Sequence, residues 1–238
     1  MRALILAAGR GKRLRPLTDT TPKPLLPVGD FKLCEWQFAA LGKAGVHEVV
    51  MNTAHLAEAF ETVPSEFAAK GFEVAISREG DKDTDALESL GGIVKALPML
   101  VPENDPEAPF LVLAGDVVHD FDLKRLTQYE KALRQNRLDA HLVAVPNPDF
   151  HVKGDMTVLE NKTVVPGPGP HTYGCLMIVS PRIFTGLPAV SSKLFPWLWQ
   201  FAQSKRLTAE VYEGFWGNIG SPEEYEKLIA SRREPAYV

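Results

Sequence analysis

Short apolar runs alternate with amphipathic stretches along the first half of the chain. Four of these runs are continuous enough to predict buried parallel strands: ALIL (3–6), EVVMN (48–52), FEVAI (72–76) and FLVLA (110–114). Three intervening segments repeat apolar residues every three or four positions, which predicts helices at 31–45, 55–70 and 89–100. This order predicts an α/β fold, a Rossmann-like and mostly parallel sheet with helices on both faces.

The second half of the chain is less regular. Turn-forming clusters at 147–150 and 165–174 divide it into short strands, and the patterns at 191–206 and 221–233 predict two further helices. We interpret this half as a smaller subregion added to the same unit, because no internal repeat, low-complexity tract or Ser/Gly linker interrupts it. We therefore expect residues 1–238 to form a single domain.

Composition narrows the class of partner. The chain has 238 residues, 45% of them hydrophobic and 24% charged, and a formal net charge of -4. A mildly acidic chain has no overall field that would attract nucleic acid or an anionic membrane, so we expect neither as a partner. Cys34 and Cys175 lie in apolar segments and are typical of free thiols in a reducing compartment. No segment has the length of a signal-peptide core or a membrane span, so the expected location is the cytoplasm, as a monomer or small homo-oligomer.

Positive charge is concentrated directly after the first predicted strand, in GRGKRLRPLT (9–18). Gly9 and Gly11 stand where the carboxyl edge of the sheet opens, and backbone amides of such a turn can cradle phosphate oxygens while Arg13 clamps them. Neither a dinucleotide fingerprint nor a Walker loop fits, because Leu14 replaces the third glycine and Arg13 replaces the Ser or Thr. The alternative is an exposed turn with solvated charges. Lys23 argues against this alternative. Two flanking prolines restrict its backbone, and a lysine fixed in this way suggests a bound anion.

These residues carry a family resemblance. The run Leu6-Ala7-Ala8-Gly9-x-Gly11-x-Arg13-x-x-Pro16-x-Thr18, followed by Pro22-Lys23-Pro24, resembles the signature of the sugar-1-phosphate nucleotidyltransferases. The resemblance implies that a nucleoside triphosphate binds at Ala7, Ala8, Gly9 and Gly11. It also implies catalytic roles for Arg13, on the departing pyrophosphate, and Lys23, between the two reacting phosphates.

Two further segments resemble the metal site of that family. In LVLAGDVVHDFD (111–122), the resemblance implies that Asp116 binds Mg²⁺, whereas the alternative of a helix cap is better suited to Asp122. Near the carboxyl end, the family has a second metal-binding Asp in a Trp-x-Asp-x-Gly-Thr context, and Asn218 stands at that position here. Asn218 would bind the metal through a neutral oxygen, or it would merely shape the turn before the last helix.

Looser resemblances point to one branch of the family. The stretches 78–100, 147–156 and 192–200 are similar to the N-acetylmuramate 1-phosphate uridylyltransferases, although Leu90 replaces a glycine of that pattern. The resemblance implies base recognition at Ser89 and Gly91, for which a helix cap is the alternative. It also implies sugar binding at Gly154, Asp155 and Tyr173, for which turn and core roles are the alternatives.

The implied reaction joins UMP from UTP to a sugar 1-phosphate and releases pyrophosphate, as part of cell-wall sugar recycling. The expected partners are these small molecules and Mg²⁺. Two alternatives stay open: a mannose- or glucose-1-phosphate nucleotidyltransferase that uses GTP or dTTP, and a catalytically silent relative that binds a nucleotide sugar as a regulator.

Overall fold

The computed structural model of the protein describes residues 1–80 and 85–237. Positions 81–84, which belong to the 78–100 stretch, and Val238 lie outside the described residues. The strands in this part of the chain are β1 (Arg2–Leu6), β2 (Pro27–Val28), β3 (Phe31–Lys32), β4 (Glu48–Thr53), β5 (Glu73–Arg78), β6 (Phe110–Ala114), β7 (Val117–His119), β8 (Ala140–Pro146), β9 (Met156–Val158), β10 (Val164–Pro166), β11 (His171–Val179), β12 (Leu207–Val211) and β13 (Trp216–Asn218). The helices are α1 (Glu35–Lys43), α2 (Val63–Ala68), α3 (Glu88–Leu100), α4 (Lys124–Thr127), α5 (Glu130–Arg134), α6 (Leu194–Trp197), α7 (Gln200–Gln203) and α8 (Pro222–Ser231).

The main sheet has a parallel half and a mixed half. Strands β6, β1, β4 and β5 lie side by side and parallel, and they are the four strands that the apolar runs predict. On the other flank, β11 runs antiparallel to β6, β8 and β9, and β12 pairs in parallel with β8. The predicted α/β fold is therefore confirmed, and the antiparallel β11 joins the less regular second half of the chain to the parallel core.

Helices cover both faces of this sheet because its central strand is apolar on both sides. In β1, Ala3 and Ile5 pack into a cluster that contains Phe38 of α1 and Phe67 of α2. Leu4 faces the opposite cluster, which is built on α3 and on the helices near the carboxyl end. Side chains of successive residues in a strand point to opposite faces, so a continuous apolar run is what a strand buried on both sides requires.

One predicted helix is interrupted. The 191–206 pattern forms two short helices, α6 and α7, rather than one continuous helix. Phe195 has extended backbone angles, φ -106° and ψ 137°, because the ring of the following Pro196 disfavours the helical region for the residue before it. The predicted helix at 55–70 is likewise divided, into a 3₁₀ turn at 57–60 and α2.

The parallel half of the sheet brings four carboxyl ends to one edge. Leu6 pairs with Asn52 of β4 and with Ala114 of β6, so the residues that follow these strands emerge side by side. This is the edge at which open α/β sheets bind ligands. No helix in the described ranges is long and apolar enough to cross a membrane.

Candidate active site

The turn after β1 is held by a glycine with a left-handed backbone. Gly11 has φ +58°, and a Cβ at this position would lie 2.8 Å from Cγ2 of Thr18 and 3.2 Å from Cβ of Lys23. The Thr18 hydroxyl donates to the Gly11 carbonyl at 2.9 Å, and the Leu14 amide donates to the same oxygen at 2.8 Å. Only glycine combines this φ with so close an approach, so the residue type at position 11 determines the shape of the turn.

This turn borders a cavity of about 490 Å³ at the carboxyl edge of the sheet. The cavity is lined by seven of the residues singled out from the sequence: Ala7, Ala8, Gly9, Gly11, Lys23, Ser89 and Asp116. Arg10 and Lys12 also line it, so cations and backbone amides border the same space. A concave site of this composition suits a phosphorylated ligand.

An ion pair lies in this cavity. Nζ of Lys23 is 2.5 Å from Oδ2 of Asp116, although the two residues are 93 positions apart. The Lys23 side chain is buried in a 3₁₀ turn that begins after Pro22, so its ammonium group is held in place. Asp116 follows β6 through Gly115, whose amide donates to the Leu6 carbonyl at 2.9 Å. A fixed cation beside a partly exposed carboxylate can bind a phosphate and a divalent metal ion side by side.

Asn218 is brought next to Asp116 by a two-stranded ribbon. In the antiparallel pair of β7 and β13, Asn218 lies opposite Val117, and the Ile219 amide donates to the Asp116 carbonyl at 3.0 Å. Oδ1 of Asn218 is buried and accepts no hydrogen bond. A carboxylate and an amide oxygen fit Mg²⁺, which takes one or two protein oxygens and completes its shell with phosphate oxygens and water. Within residues 1–80 and 85–237, no cluster of three His, Cys, Asp or Glu side chains offers another metal site.

The three residues expected to bind sugar do not line this cavity: Gly154 and Asp155 lie in the turn before β9, and Tyr173 lies in β11. Gly154 has φ +60°, and a Cβ there would lie 2.2 Å from the Gly169 carbonyl oxygen. Asp155 accepts the Tyr173 amide at Oδ2 (2.9 Å), and its Oδ1 lies 2.8 Å from Nε2 of His151. Burial raises the pKa of the Tyr173 phenol well above 10, which keeps it a neutral group.

Cys175 follows Tyr173 by two residues in the same strand. It lies in an irregular part of β11, between Tyr173 and Met177, where the register with β8 shifts, and it has φ +62°. Burial raises the pKa of the Cys175 thiol to about 12, and the nearby Asp116 and Asp155 carboxylates add to the shift. A thiol with so high a pKa stays protonated and neutral near neutral pH.

Arg13 and Gly91 are also absent from the lining of the cavity, as is Asn218. Arg13 is exposed, and its Nη2 lies 2.9 Å from the point where a Cβ on Gly220 would stand, close to the carboxylate of Glu224. The structure therefore directs Arg13 to the start of α8. Gly91 is buried, and a Cβ there would lie 2.2 Å from the Val190 carbonyl oxygen, so this glycine permits close packing of α3 against that segment.

Ser89 has a different partner from the helix cap considered as its alternative. Its hydroxyl accepts the Leu194 amide at 2.9 Å, whereas α3 begins after Leu87 without a side-chain cap. Ser89 therefore joins the wall of the cavity to the start of α6.

Asn52 and Glu79 also line the cavity, although no sequence motif pointed to them. Asn52 accepts the Ala7 amide at 2.8 Å and donates to Glu79 at 2.6 Å. Burial raises the pKa of the Glu79 carboxyl group, while its bonds from Leu87 and Asn52 oppose the shift. One signal was available: Asn52 is the last residue of the predicted strand 48–52, and Glu79 follows the predicted strand 72–76 by three residues, at the edge where side chains reach a ligand.

Known proteins resemble this chain over almost its whole length. Over 225 residues, the chain is 38% identical to the N-acetylmuramate alpha-1-phosphate uridylyltransferase of Neisseria meningitidis, covering 93% of this chain and 94% of the relative. It is 29% identical to a mannose-1-phosphate guanyltransferase of Saccharomyces cerevisiae, over 94% of this chain and 63% of that protein. The crystal structure of a Bacillus anthracis protein assigned as a glucose-1-phosphate thymidylyltransferase superposes with a TM-score of 0.81 at 15% identity, over 100% of this chain and 98% of that one, which shows a shared fold.

The match to the family extends from the glycine turn into the second half of the chain. Residues 2–164, which include the turn, Lys23 and Asp116, match the model of the family described as Nucleotidyl transferase. The resemblance of the opening signature is confirmed by this match and by the identity to the Neisseria relative. The chain belongs to the nucleotidyl transferase family.

Proposed function

We propose that this protein is a uridylyltransferase that transfers UMP from UTP to N-acetylmuramate 1-phosphate. In this reaction a phosphate oxygen of the sugar 1-phosphate attacks the α-phosphorus of UTP. The bond from that phosphorus to the oxygen bridging to the β-phosphate breaks, and pyrophosphate leaves with the electron pair. The products are a nucleoside diphosphate sugar and pyrophosphate.

The observation that carries the proposal is the Lys23–Asp116 pair beside the glycine turn, with 2.5 Å between Nζ and Oδ2. Transfer of this kind needs no protein nucleophile, and most of the acceleration comes from positioning two polyanions and balancing their charge. Lys23 would donate to the α-phosphate and to the incoming sugar phosphate. The amides of the 7–11 turn, together with Arg10 and Lys12, would hold the other phosphates.

We assign Asp116 and Asn218 as the residues that would hold Mg²⁺. When bound, Mg²⁺ supplies positive charge that balances the charge developing on the leaving pyrophosphate. The buried Oδ1 of Asn218, which has no hydrogen-bond partner, supports this assignment. Asp116 and Asn218 together would offer Mg²⁺ two oxygen ligands, although only Asp116 carries a carboxylate.

The choice of UTP and N-acetylmuramate 1-phosphate is supported by the resemblance at 78–100 and 147–156 and by the relative from Neisseria. We propose that Gly154, Asp155 and Tyr173 contact the sugar, and that Ser89 and Gly91 shape the base pocket. We further propose that residues 1–238 act as one domain in the cytoplasm, in the recycling of peptidoglycan sugars. The yeast relative favours guanylyl transfer to mannose 1-phosphate as the second candidate.

Release of pyrophosphate tests the assignment directly. UTP, dTTP, CTP and GTP are each combined with N-acetylmuramate, mannose and glucose 1-phosphates in the presence of Mg²⁺. We expect the highest kcat/KM for UTP with N-acetylmuramate 1-phosphate. A higher value for guanylyl or thymidylyl transfer to a hexose 1-phosphate would overturn the substrate assignment, and the absence of turnover with every pair would favour the silent regulator.

A Lys23→Met variant tests the mechanism. We expect it to lower kcat by about 100-fold, because a preorganised cation is lost from the transition state. Lys43→Met is the matched control, because Lys43 is exposed at the end of α1, and it should retain wild-type turnover. Turnover of Lys23→Met within a few fold of wild type would contradict the assigned role.

A further inference from the structure

Two buried side chains connect opposite walls of the cavity through a continuous chain of hydrogen bonds. The Ala7 amide donates to Oδ1 of Asn52 at 2.8 Å, and Nδ2 of Asn52 donates to Oε1 of Glu79 at 2.6 Å. Oε2 of Glu79 then accepts the Leu87 amide at 2.6 Å. Ala7 belongs to the glycine turn after β1, and Leu87 belongs to the segment 85–89, which enters α3.

This chain of bonds is largely buried between the cavity and α3. Asn52 and Glu79 are 2% and 5% exposed, so water does not compete for their polar atoms. A Cβ at Gly92 of α3 would lie 2.4 Å from Oε1 of Glu79 and 2.6 Å from Nδ2 of Asn52, so the helix closes directly over the pair. The Lys95 ammonium donates to the Glu79 carbonyl at 3.0 Å, which also holds the backbone of Glu79 against α3.

The direction of each bond is determined by the groups at the two ends. Both ends are backbone N–H donors, so the side chains between them must present an acceptor to each. An amide followed by a carboxylate meets this requirement: Asn52 accepts from Ala7 and donates onward, and Glu79 accepts twice. Any other arrangement of the two loops would lose at least one of these bonds. Such a loss is costly, because it leaves a buried polar group without a partner.

We propose that Asn52 and Glu79 are positioning residues that set the distance between the phosphate-binding turn and the 85–89 segment of the nucleotide site. The inference rests on the proposed function, because a nucleoside triphosphate must extend from the 7–11 turn to the wall formed by Ala86, Glu88 and Ser89. Neither side chain needs to touch the reacting phosphates. Each acts through a backbone amide that it holds, and thus through the loop that carries this amide.

An exchange of the amide and the acid tests the proposal. In Glu79→Gln, one carboxylate oxygen becomes an NH₂ group, so either the Asn52 or the Leu87 bond is lost. In Asn52→Asp, a second carboxylate faces Glu79. The double variant Asn52→Asp/Glu79→Gln restores the chain, because the new aspartate accepts from Ala7 and from the new glutamine, whose carbonyl accepts from Leu87. The double variant also keeps the wild-type net charge.

The readout is the affinity for a nucleoside triphosphate by titration calorimetry with Mg²⁺, together with KM values for both substrates and the Tm. The triphosphate used is the one among UTP, dTTP, CTP and GTP that wild type binds most tightly. We expect each single variant to weaken triphosphate binding and raise its KM about tenfold, the cost of one buried charge-assisted hydrogen bond. The KM for the sugar 1-phosphate should change less than threefold. The double variant should recover to within about threefold of wild type, because the two sites are coupled.

Glu103→Gln and Asn104→Asp are matched controls, because they make the same chemical changes at exposed positions beyond α3. Single variants that bind the triphosphate like wild type, or a double variant no better than the worse single, would overturn the positioning role. Equal changes in the KM values of both substrates, in step with a lower Tm, would also overturn it in favour of a general structural role. Wild-type protein that binds none of the four triphosphates would instead overturn the proposed function, and this inference with it.

Discussion

The protein should lose stability in mild acid because of one buried imidazole, that of His119 at the end of β7. His119 is 4% exposed. Its Nε2 lies 3.0 Å from Oε1 of Gln37, and its Nδ1 accepts the Phe121 amide at 3.2 Å. Gln37 uses its own NH₂ group to donate to the Val117 carbonyl at 2.7 Å, so its oxygen faces His119 as an acceptor. These partners require a hydrogen on Nε2 and a free lone pair on Nδ1, which is the neutral imidazole.

The size of the effect follows from the pKa. Burial lowers the pKa of His119 from 6.5 to about 4, with the nearby Asp120 carboxylate opposing the shift. Because the pKa is lower in the folded protein, the unfolded chain takes up the proton first, and stability falls as the pH drops from 6.5 towards 4. The difference between a pKa of 6.5 in the unfolded chain and about 4 in the folded protein corresponds to about 3 kcal/mol of the free energy of unfolding, of which about 2 kcal/mol is lost by pH 5.

Urea unfolding between pH 8 and pH 4.5 measures this loss. His119→Gln keeps an amide N–H that can donate to Gln37 but cannot take up a proton, so its free energy of unfolding should vary less with pH. The free energy of unfolding of wild type minus that of His119→Gln should decrease by about 2 kcal/mol between pH 7.5 and pH 5. The other titrating groups affect both proteins alike and cancel from this difference. His47→Gln, at an exposed position, is the control and should retain the wild-type slope. Parallel pH profiles for wild type and His119→Gln would refute the reasoning.

Three further predictions concern the site itself. Cys175→Gly should be about 1 kcal/mol more stable in urea unfolding than Cys175→Ala, since φ +62° strains any residue with a Cβ, and the reverse order would mean that no strain is present. Gly11→Ala should lower kcat/KM at least tenfold. Gly29→Ala, where φ is +61° and no atom lies within 4 Å of the added Cβ, should leave kcat/KM within about twofold of wild type. Equal losses in the two variants would rule out the contact with Thr18 as the cause. Asn218→Asp should lower the Mg²⁺ concentration for half-maximal activity, because a charged oxygen replaces a neutral one, and an unchanged value would leave Asp116 as the remaining protein ligand.

The parallel half of the fold was predictable because its signals are local. An apolar run such as 110–114 contains the whole reason for being a strand buried on both faces, and the helix at 89–100 follows from its own periodicity. The antiparallel placement of β11 was not predictable, because it depends on pairing with β6 and β8, and no short stretch encodes that choice. The division of the 191–206 helix could have been foreseen from Pro196, since proline restricts the residue before it.

The candidate site divides in the same way. The glycine turn and the positions of Lys23 and Asp116 could be identified from the opening signature and from one Gly-Asp pair after a strand. The bonds from Asn52 to Ala7 and Glu79 could not, because they arise only when β1, β4 and β5 adopt their register. The direction of the Arg13 side chain also depends on residues that are distant in sequence, because it lies close to Gly220 and Glu224.

The backbone around Asp116 is held from both ends of the polypeptide, and this determines when during synthesis the site can form. On one side, the Gly115 amide donates to Leu6 in the first strand, and on the other, the Asp116 carbonyl accepts from Ile219 near the carboxyl end. Strands β1, β4, β5 and β6 all precede residue 115, so the parallel half can begin to assemble while the ribosome is still translating. The second of these bonds cannot form until β13 has left the exit tunnel, so a nascent chain can assemble the parallel half of the sheet well before the backbone around Asp116 is held on both sides.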